Sequence, residues 1–168
     1  MGFVRGKEMD GGKIGKSVLP KKNGHEIREA LEELVEANLE IPVVVEGIKD
    51  ERALRRIGCI GSILVFNRGE SVTHFSESLA RAGIQEVILL TDWDRHGAFL
   101  ADKLSEALSS LEIKFDTDLR RRLSFYCKKY VMDVESLAGL LESIVGETIE
   151  KIGEFGEKEV VARRLEEF

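Results

Sequence analysis

The chain has 168 residues, enough for one domain with a real core, and its 43% hydrophobic and 33% charged residues are the balance of a soluble globular protein. A net charge of −6 excludes an indiscriminate nucleic-acid binder, and two isolated cysteines, Cys59 and Cys127, exclude a zinc ribbon or a disulfide framework and suit a reducing cytosol. No apolar run reaches membrane-spanning length and neither end reads as a signal peptide, so a cytoplasmic location without a membrane partner is expected.

Residues 1–23 contain five glycines, scattered lysine and arginine and no apolar periodicity, and are expected to form a flexible basic arm. From Gly24 the pattern turns helical, with Ile27, Leu31, Leu34 and Val35 on one face and Glu29, Glu32, Glu33 and Glu36 towards water. A β-branched strand is predicted over 41–45, entered through Pro42, then a short helix over 49–57 stopped by Gly58. A second strand over 62–66 leads to a helix over 72–82 stopped by Gly83. A third strand over 86–90 leads to a long helix over 95–110 with Phe99, Leu104, Ala107 and Leu108 inward. This alternation predicts βαβ units and a parallel sheet. Past Leu111 the expectation is a basic helix over 116–129, a brief strand over 130–132 and a helix over 134–145. Residues 146–168, interrupted by Gly153 and Gly156, are expected to be a helical tail, and 24–145 the α/β domain.

Chemistry concentrates at two strand ends. Val87-Ile88-Leu89-Leu90 runs into Thr91-Asp92-Trp93-Asp94-Arg95-His96-Gly97, and Val43-Val44-Val45 runs into Glu46-Gly47-Ile48-Lys49-Asp50. An open α/β sheet presents its ligand crevice at the carboxyl ends of its strands, and carboxylates gathered there are costly without a cation. Oxygen-only ligands suit Mg²⁺, so Asp92 and Asp94 are read as direct or water-mediated metal ligands in a site shared with Glu46. Asp94 also stands where it would cap the next helix. Asp50 either serves a second metal or complements a helix N-terminus.

Glu46-Gly47 followed by Asp50, then Asp92-x-Asp94-x-x-Gly97, resembles the two signature motifs of the Toprim domain, over roughly residues 40–140. That domain is shared by topoisomerases, bacterial-type primases, overcoming-lysogenization-defect nucleases, recombination mediators and an rRNA-maturation ribonuclease; within it the chain is most like small, stand-alone archaeal members. The resemblance implies a compact Toprim-like (Rossmann-like) parallel sheet flanked by helices. It also implies one or two Mg²⁺ ions, with Mn²⁺ able to substitute, and a metal-binding and general acid/base role for Glu46.

Arg68, in Asn67-Arg68-Gly69-Glu70 after the second strand, is a candidate phosphate contact, with Gly69 keeping the turn tight. Arg95 and His96 beside the metal motif are candidates for the same task. Gly47 is expected to allow close backbone approach or an unusual backbone angle. Arg120, Arg121 and Arg122 are either surface ion-pair partners or a phosphate-tracking patch. Asp133 and Glu135 are expected to border the acidic site, or Asp133 to cap a helix.

A topoisomerase would need a nucleophilic tyrosine on further domains, a primase or recombination mediator a zinc site, and none of these is legible. What remains is Mg²⁺-dependent phosphodiester hydrolysis by a small nuclease or RNA-maturation enzyme, with nucleic acid as partner and RNA favoured over DNA. The alternatives are a non-catalytic, metal-binding accessory module on nucleic acid, or a phosphohydrolase of small esters using Asp92 as nucleophile. The sequence names no protein partner.

Overall fold

The computed structural model describes residues 23–67 and 69–145. The expected arm (Asn23 apart), the expected tail and Arg68 lie outside the described residues. The strands are β1 (Val43–Val45), β2 (Ile63–Val65), β3 (Glu86–Leu89) and β4 (Lys114–Asp116). The helices are α1 (Gly24–Ala37), α2 (Ile48–Ile57), α3 (Val72–Arg81), α4 (Arg95–Ser110), α5 (Asp118–Cys127) and α6 (Leu137–Val145). All pairings are parallel, in the order β2-β1-β3-β4.

β1 and β3 are continuous apolar runs because helices cover both faces of the sheet. Successive side chains alternate between those faces. Val43, Val45, Ile88 and Leu90 share one core with α1, α2, α5 and α6, while Val44, Val87 and Leu89 share the other with α3 and α4. No helix among the described residues is long and apolar enough to cross a membrane.

The strand order positions the site. From β1 the chain passes through α2 to β2 on one side, then through α3 to β3 on the other side of β1. The chain leaving β1 turns towards β2 while the chain leaving β3, through α4, turns the opposite way towards β4, and a crevice opens beyond the carboxyl ends of β1 and β3.

Three expectations fail, all on the outer shell. Residues 114–116, expected to lie before or within a helix, form β4, which pairs Glu86 with Lys114 and Ile88 with Asp116. A three-residue edge strand that opens on an exposed lysine carries little periodicity to detect. Residues 130–132 form no strand. Tyr130 and Val131 turn back through N–H bonds to the Cys127 carbonyl, and the Val131 and Met132 carbonyls accept from Trp93 instead of from a ladder. Phe99 does not face inward. The stripe of α4 that meets the sheet is Leu100, Ala101, Leu104 and Leu108, which leaves Phe99 60% exposed with Lys103 Nζ 5.7 Å from its ring centroid.

Candidate functional site at the ends of two adjacent strands

Glu46 follows β1 and Asp92 follows β3, three residues past its end, so the pairing of those strands brings both acids together. The Asp92 backbone N–H donates to Glu46 Oε1 at 2.9 Å, fixing the glutamate by one oxygen. Its other oxygen, Oε2, lies 3.9 Å from His96 Nε2 on the first turn of α4. Asp92 is held in turn by the Val134 N–H, which donates to its Oδ1 at 2.9 Å. Each carboxylate thus has one oxygen in a backbone hydrogen bond, a common way of aiming the second.

The loop between β3 and α4 is braced on every side. Trp93 points away from its acidic neighbours into the core, and its indole N–H donates to the Val131 carbonyl at 2.6 Å. Asp94 Oδ1 accepts from the Gly97 N–H at 2.7 Å, an N-cap on α4. Thr91, wholly buried, donates from Oγ1 to the Gly97 carbonyl at 2.7 Å. Gly97 is glycine for want of room, since a Cβ there would fall 1.8 Å from the Asp92 carbonyl oxygen. Arg120 closes the loop from α5. Its Nε donates to the Thr91 carbonyl at 3.0 Å and to Thr91 Oγ1 at 2.9 Å, and its terminal nitrogen donates to the Asp92 carbonyl at 2.6 Å.

Burial and crowded negative charge govern the electrostatics here. Burial is the main cause that pushes the Asp92 carboxyl up to about 7, and the charges of Asp50, Glu46 and Asp133 add to it against the Val134 hydrogen bond. Asp50 is raised as well, first by burial and then by Glu46, Asp133 and Glu135, against the pull of the Gly47 N–H. A bound cation would reverse this preference. Among the described residues no three His, Cys, Asp or Glu side chains stand close enough to cage an ion by themselves. Mg²⁺ does not require such a cage, because it is commonly held by one or two carboxylates with water and substrate phosphate. The all-oxygen donor set and the crowding of charge around Asp92 fit that ion.

The chain matches the Toprim domain over residues 42–124. It is 39% identical over 118 residues to a UPF0292 protein of Methanosarcina acetivorans, covering 66% of this chain and 81% of that protein. It is 34% identical over 109 residues to a UPF0292 protein of Methanocaldococcus jannaschii, covering 65% of this chain and 84% of that one. The chain belongs to the UPF0292 family and carries a Toprim domain. A solved protein from Aquifex aeolicus shares the architecture, with a TM-score of 0.55 and 30% identity, covering 64% of this chain and 94% of that chain. Toprim domains in general bind divalent metal and are associated with nucleic acid, and the relatives' names say nothing finer.

In this Toprim domain the residues singled out from sequence gather around one open pocket of about 730 Å³. Glu46, Gly47, Asp50, Gly69, Asp92 and His96 all line it. Asp94 caps α4 beside it, Arg95 is exposed on the same turn, and Arg68 lies outside the described residues. Asp50 takes the helix-terminus role weighed for it: buried beside the other acids, it accepts the Gly47 N–H at 3.0 Å, the return half of a capping box. Gly47 is not needed as a glycine by the protein itself. Its φ of −151° is extended, and a Cβ would meet only Asp50 Oδ2, at an ordinary 3.8 Å. Asp133 caps the Ser136 N–H at 2.8 Å while adding its charge to the cluster, and Glu135 lines the pocket, 3.6 Å from Lys49 Nζ. The arginine triplet divides. Arg122 pairs with Glu33 and Asp118, Arg121 pairs with Asp118, and Arg120 turns inward to the β3–α4 loop. The only hint in the sequence was that three consecutive helical residues cannot face one way.

Proposed function

We propose that the protein is a Mg²⁺-dependent phosphodiesterase of nucleic acid, a small nuclease or RNA-maturation hydrolase with RNA as its favoured substrate. What carries this reading is the meeting of Glu46 and Asp92 at neighbouring strand ends, on one open pocket. Glu46 and Asp92 would hold the metal with water and substrate phosphate, Asp94 would act on it through water, and Asp50 would contribute charge to the same centre. When bound, Mg²⁺ would neutralise phosphate charge and make a water more acidic. Glu46, anchored through Oε1, uses Oε2 to take a proton from the attacking water or to return one to the leaving oxygen. Arg95 and His96 contact the substrate phosphate, joined by Arg68. The Toprim resemblance to a ribosomal RNA maturase is what favours RNA.

The test is turnover of labelled RNA and DNA oligonucleotides with Mg²⁺ or Mn²⁺. Glu46→Gln is expected to remove cleavage while leaving nucleic-acid affinity within about a few fold, as a group that acts on the proton in the transition state should. Hydrolysis of a chromogenic phosphate monoester in place of oligonucleotides would support the small-ester reading. Absence of turnover on any nucleic acid would leave the accessory-module reading.

A further inference from the structure

The acid cluster accounts for only part of its pocket. The rest of the lining includes an apolar wall of Ile48, Phe66 and Leu100. Leu100 belongs to the core beneath α3 and α4, and Phe66 packs against that core, so apolar core surfaces inside the pocket beside the carboxylates. Phe66 is held in place by the Phe75 ring, edge-on at 90° with centroids 5.3 Å apart. Ile48, the first residue of α2, stands 53% exposed, next in the chain to Gly47 and two residues from Glu46. Lys49 adds positive charge at the same opening, and His96 lines it.

A free metal ion or an inorganic phosphate has no use for such a wall, whereas a nucleotide brings a phosphate and a flat apolar ring together. In a continuous duplex that ring is stacked between its neighbours, and exposing its face requires unstacking. In a single strand or a loop the face is available at little cost. A pocket of about 730 Å³ lies within the range of small-molecule sites and is roomy for one nucleotide.

We propose that the pocket takes one unpaired nucleotide, its phosphate at the Glu46–Asp92 end and its base against Ile48, Phe66 and Leu100, so that the substrate is single-stranded or looped nucleic acid. This rests on the phosphodiesterase reading and names its substrate class.

The experiment measures fluorescence anisotropy of the full-length Glu46→Gln protein in Mg²⁺ with three ribo-oligomers of one length. These are a single strand, the same strand annealed to its complement, and an abasic strand with the same phosphates. Contacts made to phosphate alone are common to all three, so the comparison isolates the base. The single strand is expected to bind about tenfold more tightly than either of the others, the scale of one base-stacking contact. Ile48→Ser, at an exposed position that leaves folding intact, is expected to bring the single strand towards the abasic level without changing abasic binding. Phe66→Leu provides a second reading of the same wall. Equal or tighter binding of the duplex, equal binding of the abasic strand, no measurable binding, or an Ile48→Ser effect shared by all three oligomers overturns the proposal. Glu46-dependent cleavage of duplex would remove it while leaving the phosphodiesterase standing. Single-strand selectivity without any cleavage by the wild-type chain would do the reverse.

Discussion

Arg120 directs its hydrogen bonds to the carbonyl oxygens of Thr91 and Asp92, not to the carboxylates beside them, and for a metal centre that choice matters. A guanidinium clasping Asp92 through its carboxylate would occupy the oxygens a cation needs. Bonded to the main chain, it fixes the loop and still contributes positive charge. Burial lowers the Arg120 pKa, while Glu46, Asp102, Asp92 and Asp94 act the other way. Arg120→Ala is therefore expected to weaken Mg²⁺ or Mn²⁺ binding by roughly 10- to 100-fold, the usual cost of losing a group that orients a metal ligand. Arg120→Lys should recover only part, since an ammonium cannot reproduce the fork of donors. Calorimetric metal titration of the three proteins checks this; unchanged affinity in Arg120→Ala would show that the loop holds its shape without α5. Asp92→Asn is expected to abolish metal binding in the same assay.

At the scale of elements, the contact between the β3–α4 loop and α4 leaves no space for a side chain. Alanine at 97 would gain about 1 kcal/mol in helix propensity over glycine, but its Cβ would lie 1.8 Å from the Asp92 carbonyl oxygen. Separating them costs roughly 1–3 kcal/mol or more, so packing outweighs propensity. Gly97→Ala should lower the urea midpoint and the metal affinity together, because relief of the clash moves Asp92. A melt at wild-type stability with normal metal binding would contradict this. At the opposite end of the sheet Asn38 does comparable work far from the acids. Buried after α1, its side chain donates to the Ser62 carbonyl at 2.9 Å and accepts from the Gly61 N–H at 2.9 Å, tying the approach to β1 to the approach to β2. Asn38→Ala removes the partner of the Gly61 N–H and leaves the Ser62 carbonyl with the Val43 N–H alone, and a loss of about 1–3 kcal/mol is expected in urea unfolding, with metal affinity unchanged.

For the molecule as a whole, the acid cluster links stability to pH and to metal. With Asp92 at about 7 in the folded, metal-free protein against an ordinary aspartate value of 3.8, the folded state holds a proton that the unfolded chain releases. The unfolded state binds fewer protons between those two values, so stability is highest below the lower one and falls as pH rises through the upper. Asp50, also raised, acts in the same direction. Thermal melts in chelator are expected to show the midpoint dropping as the pH is raised from about 4 through 7, after allowance for acid effects elsewhere. Asp92→Asn should flatten that slope and raise the midpoint at pH 8. Saturating Mg²⁺ should restore the wild-type midpoint at pH 8 and leave Asp92→Asn unmoved, since only a ligand that binds the folded state stabilises it. A slope identical in both proteins would place the pH dependence outside this cluster.

The sequence by itself determined the part of this protein that repeats locally. Val43–Val45 and Glu86–Leu89 announce buried strands because both of their faces must be apolar, and the acids that follow them mark strand ends because the transition to a helix is written in adjacent residues. Gly58, with φ of 119°, ended α2 where a left-handed residue was required. Tertiary structure decided whatever depends on partners distant in the chain. Phe99 lies outward because the sheet beneath α4 meets the Leu100–Leu104–Leu108 stripe, and helical periodicity alone does not fix the angle of that stripe. Residues 114–116 became a strand because β3 had an unpaired edge to offer, a fact absent from their own composition. Arg120 reaches Thr91 from 29 positions away, and the apolar wall joins residues from α2, β2 and α4. The physical reason is common to all four: hydrogen bonding and burial act through space, and a chain reveals in its sequence only those neighbours that local geometry already brings together.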